Sequence, residues 1–116
     1  MNVRKLPEPI HPSDLGPQDY RRIAETLRHI GGVQKVTLFG SRALGSHRYN
    51  SDVDILLEGE QLGYHARAEA FRSTRALGYA HEIDIVIDRW ISEPALWSNI
   101  QREGIVLWCE HSMLDS

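Results

Sequence analysis

A single cysteine among 116 residues leaves nothing for an intramolecular disulfide, so Cys109 reads as structural and fits a reducing compartment. Lysine is almost as scarce. Lys5 and Lys35 are the only two among 13 basic residues, and the formal net charge is −3. A general nucleic-acid binder neutralises phosphates with clustered Lys and Arg, so no direct DNA binding is expected. No apolar run approaches the roughly 18 residues of a membrane span. The opening "MNVRKLPEPIHPSDLG" also lacks the apolar core of a secretory signal. These absences point to a soluble, cytoplasmic protein. Repeats and low-complexity segments are missing too, and the six histidines show no metal-ligand spacing.

What remains is ordinary for a globular chain: 41% hydrophobic and 25% charged residues, with no compositional break to suggest two domains. A chain of this length buries roughly 60–70% of its unfolded surface and needs no staples. Four of the five prolines (Pro7, Pro9, Pro12 and Pro17) fall in residues 1–17, which read as an extended arm. Residues 18–108 read as the domain and 109–116 as a frayed tail.

Within the domain, Tyr20, Ile23, Ala24, Leu27 and Ile30 recur at helical spacing, and Gly31-Gly32 ends that helix. "VQKVTLF" alternates as a strand and stops at Gly40. "SRALG" allows one or two helical turns, with Ser41 near the N-cap and Gly45 as the stop. "SHRYNS" is a polar loop, "DVDILLE" a second strand, and "GYHARAEAFRSTRALG" a second long helix with Ala68, Phe71, Ala76 and Leu77 partly on one side. "HEIDIVID" is a third strand. A short helix with Pro94 in its first turn and a last strand, "GIVLW", follow. The order α-β-short α-β-α-β-α-β predicts an α/β domain of helices packed on a small mixed sheet of about four strands. Tyr64 and Tyr79 read as packing residues, and Trp90, Trp97 and Trp108 as fillers of the core or a subunit interface, so a homo-oligomer stays open.

The chemistry lies between Gly40 and Glu58. Residues two apart on a strand point the same way, with Cα atoms roughly 6.5–7 Å apart. Asp52 and Asp54 therefore present two carboxylates on one face, while Val53, Ile55 and Leu57 pack on the other. Asp84 sits mid-strand among isoleucines and joins that face if the two strands are neighbours; Glu82 is the next candidate. Three carboxylates form an all-oxygen site, suited to Mg²⁺ or Mn²⁺ and not to Zn²⁺. Two such ions roughly 3.5–4 Å apart clamp the attacking and leaving oxygens of a phosphoryl displacement. "FGSRALG" supplies backbone N–H groups and the Ser41 hydroxyl for phosphate oxygens.

Gly40-Ser41, ten residues, and Asp52-Val53-Asp54 resemble the signature of the DNA polymerase β-like nucleotidyltransferase superfamily. The short chain is most similar to its minimal nucleotidyltransferase (MNT) branch, the MntA-type antitoxins, over residues 18–108. That branch often reads GSRARG, and Leu44 stands here for the second arginine.

The resemblance implies the polymerase β-like fold, with Asp52, Asp54 and Asp84 as catalytic residues holding two Mg²⁺ ions. Gly40 and Ser41 would bind the triphosphate of ATP, with Arg42 as a further ligand. It implies transfer of AMP to a hydroxyl, and a HEPN-domain protein as partner, the two forming a toxin–antitoxin pair in which a HEPN tyrosine is adenylylated. A non-catalytic antitoxin that neutralises by covering its partner, and transfer to a small molecule such as an aminoglycoside, are the alternatives.

Overall fold

The computed structural model describes residues 5–110. The first helix, α1 (Pro17–Leu27), has proline in its first turn, where a missing N–H costs nothing. The Asp19 carboxylate reaches back to accept the Gly16 N–H at 2.7 Å. Tyr20, Ile23, Ala24 and Leu27 are buried along one face. The helix ends three residues before the expected Ile30, which is still buried in a turn closed by its N–H to the Leu27 carbonyl at 3.1 Å.

Next come β1 (Lys35–Phe39), the five-residue α2 (Gly40–Leu44), β2 (Val53–Glu58), α3 (Tyr64–Arg75) and β3 (Ile83–Ile87). A single 3₁₀ turn over Asp88–Trp90, α4 (Pro94–Glu103) and β4 (Ile105–Cys109) complete the order. The sheet runs β3-β2-β1-β4; β1 is antiparallel to both its neighbours, and β2 and β3 are parallel. It is therefore mixed, as expected. Cys109 closes β4 and does not belong to a tail; residues 1–4 of the arm and 111–116 lie outside the described residues.

Val36, Leu38, Val53, Ile55, Leu57, Ile85 and Ile87 share one core with Tyr20, Ile23, Leu27, Ala66 and Ala70, so α1 and α3 cover one face of the sheet. Alternation turns Thr37, Phe39, Asp54 and Asp84 to the other face. There α4 leans on α2, and Gly104 at its end abuts Thr37.

The buried stripe of α3 departs from expectation. Ala66, Ala70 and Thr74 face the core, whereas Ala68 and Ala76 are exposed and Phe71 is 46% exposed. Small residues let the helix approach the sheet closely, and that outweighs the hydrophobicity of a single phenylalanine. Thr74 remains satisfied by donating its hydroxyl to the Ala70 carbonyl at 2.8 Å.

The tyrosines and tryptophans also divide. Tyr79 is half-buried and donates to Asp19 at 2.9 Å, and Trp108 packs against the core. Tyr64 is 81% exposed with its ring against Trp90, and Trp97 is exposed.

Gly59 ends β2 where the chain crosses the carbonyl of Gly32, which a Cβ would strike. Gly59→Ala is expected to cost about 1–3 kcal/mol, read as a lower urea midpoint. An unchanged midpoint would mean that the two turns move apart freely.

Candidate active site

Parallel pairing of β2 with β3 sets Asp54 directly beside Asp84, with Val53 against Ile83. The Val53 N–H donates to the Glu82 carbonyl at 2.8 Å, which locks that register at the mouth of the site. Asp54 is half-buried, Asp84 and Glu82 are exposed, and Asp52 stands exposed just before β2 begins. Burial lifts the Asp54 carboxyl above the ordinary carboxylate range, the negative charges of Asp84 and Asp52 lift it further, and nearby Arg42 pulls it back, leaving it at about 6. The three acids thus share one electrostatic environment.

Among the described residues, no three His, Cys, Asp or Glu side chains are already gathered as a chelating cluster. Backbone register fixes the Asp54–Asp84 pair, while Asp52 lies on the loop beside it. The donor set nevertheless fits a hard divalent cation: every donor is a carboxylate oxygen, and a cation would relieve the repulsion that raises Asp54.

Antiparallel pairing of β1 with β2 brings Phe39 opposite Asp54, so the chain turns into α2 beside the acids. The turn is made by Gly40 at φ +74°, where a Cβ would run into the Asp54 carboxylate. Ser41 follows as the second residue of α2; the N-cap position belongs to Phe39, not to the serine. Gly45, at φ +78°, terminates the helix as expected. A cleft of about 230 Å³ opens between α2 and α4 beside Gly40, walled by Phe39, Leu44, Leu96 and Ile100.

The family model for the polymerase beta nucleotidyltransferase domain matches residues 21–112 of the chain. The chain belongs to this family. Among solved structures it is similar to a mutant form of the toxin–antitoxin MntA–HpeT, at 26% identity and a TM-score of 0.65, covering 83% of this chain and 76% of that one. A toxin–antitoxin structure with AMP-PNP matches at 26% identity and 0.63, covering 84% and 76%. A third is the tri-AMPylated HEPN toxin of Shewanella oneidensis in complex with its MNT antitoxin, at 26% identity and 0.59, covering 79% and 71%. No curated protein matches the chain significantly in sequence. No helix among the described residues is long and apolar enough to cross a membrane.

In this nucleotidyltransferase Arg42 is not where a triphosphate ligand is expected. It is 0% exposed, and all five of its N–H donors are used within the protein. Nη1 donates to Asp14 Oδ1 at 2.9 Å and to the Tyr20 hydroxyl at 2.8 Å. Nε and Nη2 donate to the Ser51 carbonyl at 3.1 and 2.9 Å, and Nη2 also reaches the Tyr49 carbonyl at 3.2 Å. The guanidinium therefore closes the 46–51 loop from within and has no donor left for phosphate.

Asp14, Tyr20 and His47 complete this buried group, and sequence reasoning did not find Asp14. Its side chain is fully buried, and Leu15 beside it is in the core, so this part of the arm is packed on the domain. Burial by itself would raise the Asp14 carboxyl, but hydrogen bonds from the Ile10 N–H, Arg42 and the Leu15 N–H outweigh it and hold the group below its ordinary value. Arg42→Ala leaves Asp14 charged and buried without its guanidinium, with the Ile10 and Leu15 N–H groups still donating to it. It is expected to cost about 3–5 kcal/mol, measurable by chemical denaturation; a loss within the ordinary surface range would refute the pairing.

Proposed function

We propose that this nucleotidyltransferase moves AMP from ATP onto a hydroxyl of a HEPN-domain partner, a tyrosine above all, and so acts as the antitoxin of a two-protein pair. The observation that carries this reading is the Asp54–Asp84 pair lying against the Gly40 turn, which sets the acids and the start of α2 side by side on one face of the sheet. Support for the nucleotide comes from the similar toxin–antitoxin structure with AMP-PNP, and support for the acceptor from the AMPylated HEPN toxin held by its MNT antitoxin.

In this reading Gly40 and Ser41 hold the β- and γ-phosphates through backbone N–H groups and the serine hydroxyl. Asp52, Asp54 and Asp84 would hold Mg²⁺ or Mn²⁺, which when bound supplies positive charge to the phosphate oxygens. The acceptor oxygen attacks the α-phosphorus, its proton goes to the exposed Asp84 carboxylate, and pyrophosphate leaves. Orientation and electrostatics do most of this work, because phosphoryl chemistry needs little covalent help.

The test is neutralisation of the partner HEPN toxin by wild-type protein and by Asp52→Ala and Asp54→Ala. Loss of neutralisation in both variants, with partner binding retained, supports catalysis. Full neutralisation by both would instead mean that the antitoxin acts by covering its partner.

A further inference from the structure

The N-terminal segment reaches the loop that delivers Asp52 at two points. Asp14 holds Arg42, and Arg42 in turn holds the carbonyls of Tyr49 and Ser51. The Ser51 carbonyl belongs to the peptide unit leading into Asp52, so two guanidinium donors grip the bond that sets where that acid begins. Closer to the N-terminus, the exposed His11 ring stacks on Tyr49 of the same loop, centroids 4.3 Å apart and planes at 23°. His47 lies buried under the loop, with Nε2 3.6 Å from Asp14 Oδ2. Within the loop, the Ser51 hydroxyl accepts the Arg48 N–H at 2.8 Å.

A buried ion pair is a poor device for stability alone, since well-packed apolar residues of similar size stabilise as well or better. What a guanidinium adds is direction, because its donors form a rigid planar fork. Here that fork points from the arm to the peptide before Asp52. The backbone ladder already fixes Asp54 and Asp84, so Asp52 is the acid whose position depends on something else.

We propose that the arm is a working part of the active site. Asp14, through Arg42, and His11, through Tyr49, are positioning residues that hold the 47–51 loop so that Asp52 meets Asp54 around a divalent cation. This rests on the reading of the acids as a metal site. Neither residue touches nucleotide or metal in this account; each acts through the loop.

The experiment compares the full-length wild-type, Asp14→Asn and His11→Ala chains by calorimetric Mn²⁺ titration and by amide hydrogen exchange. Asp14→Asn is expected to bind Mn²⁺ about tenfold more weakly, with faster exchange at residues 47–52 and unchanged exchange in α4. Transfer activity should recover toward wild type at saturating Mn²⁺. His11→Ala removes the ring contact with Tyr49 and the acceptor of the Ser13 N–H at 3.0 Å, both at the exposed surface, so it stays folded if Asp14→Asn does not, and it should shift both readouts the same way by a smaller factor. Wild-type Mn²⁺ affinity in folded Asp14→Asn, or no change in either readout for His11→Ala, overturns the brace. A wild-type chain that binds no Mn²⁺ overturns the metal-site reading and the brace with it.

Discussion

Asp54→Asn should abolish nucleotidyl transfer while making the metal-free protein more stable. The two effects share one cause. Burial, together with Asp84 and Asp52, raises the Asp54 carboxyl from 3.8 to about 6. The folded chain therefore holds this proton more tightly than the unfolded chain, and metal-free stability falls as pH rises from about 4 to about 6. At about 1.4 kcal/mol per pKa unit, discounted for partial exposure, the penalty at neutral pH is about 1–3 kcal/mol. Asparagine keeps the shape and removes the charge, so urea denaturation at pH 8 should show a gain of that order, shrinking toward zero near pH 4.

Activity should move the opposite way, by about a thousandfold or more, because the charge that destabilises the metal-free site is the one that, in the proposed mechanism, would gather cation and phosphate. In the wild type, activity at limiting Mg²⁺ should fall below about pH 6, where protons compete for Asp54. A stability difference that does not vary with pH would refute the assignment of the strain to this carboxyl.

Gly40→Ala is the second large effect. A Cβ at φ +74° is strained, and here it also strikes the Asp54 carboxylate. The backbone strain costs about 1–2 kcal/mol. The collision pushes Asp54 out of line with Asp84, and such misplacement is worth about a hundredfold or more in rate. Gly45 provides the control. Its φ is +78°, but nothing lies within 4 Å of a Cβ there. Gly45→Ala should therefore lose a similar amount of stability and keep most of its activity, as thermal melts and initial rates would show. Equal activity losses in the two variants would mean that the turn matters only for its backbone, and not for its contact with Asp54.

The contrast between Asp54 and Arg42 shows what a sequence can disclose. The facing of Asp54 followed from period-two alternation beside Val53, Ile55 and Leu57, a local rule that the sheet obeys. Asp84 required only that its strand be the neighbour of β2, which the parallel register supplies. Arg42 sits in an equally recognisable motif, yet its side chain turns inward because an acid 28 residues earlier is buried beneath it. No local pattern marks Asp14; the one available hint was an arginine in a short helix with no acid within a turn of it. The face of α3 was misread for a related reason. Phe71 is the most hydrophobic residue of that helix, but close packing selected Ala66, Ala70 and Thr74. Short-range periodicity was legible, whereas burial decided by long-range partners was not.

The central claim is that this face of the sheet transfers a nucleotidyl group. It is tested most directly by incubating the protein with the proposed HEPN-domain partner, Mg²⁺ and ATP labelled at either the α- or the γ-phosphate. The account predicts that α-label becomes covalently attached to the partner, that γ-label leaves as pyrophosphate, and that Asp54→Asn attaches neither. Attachment of γ-label would make the reaction a phosphoryl transfer and contradict the account. So would attachment of α-label that survives Asp54→Asn.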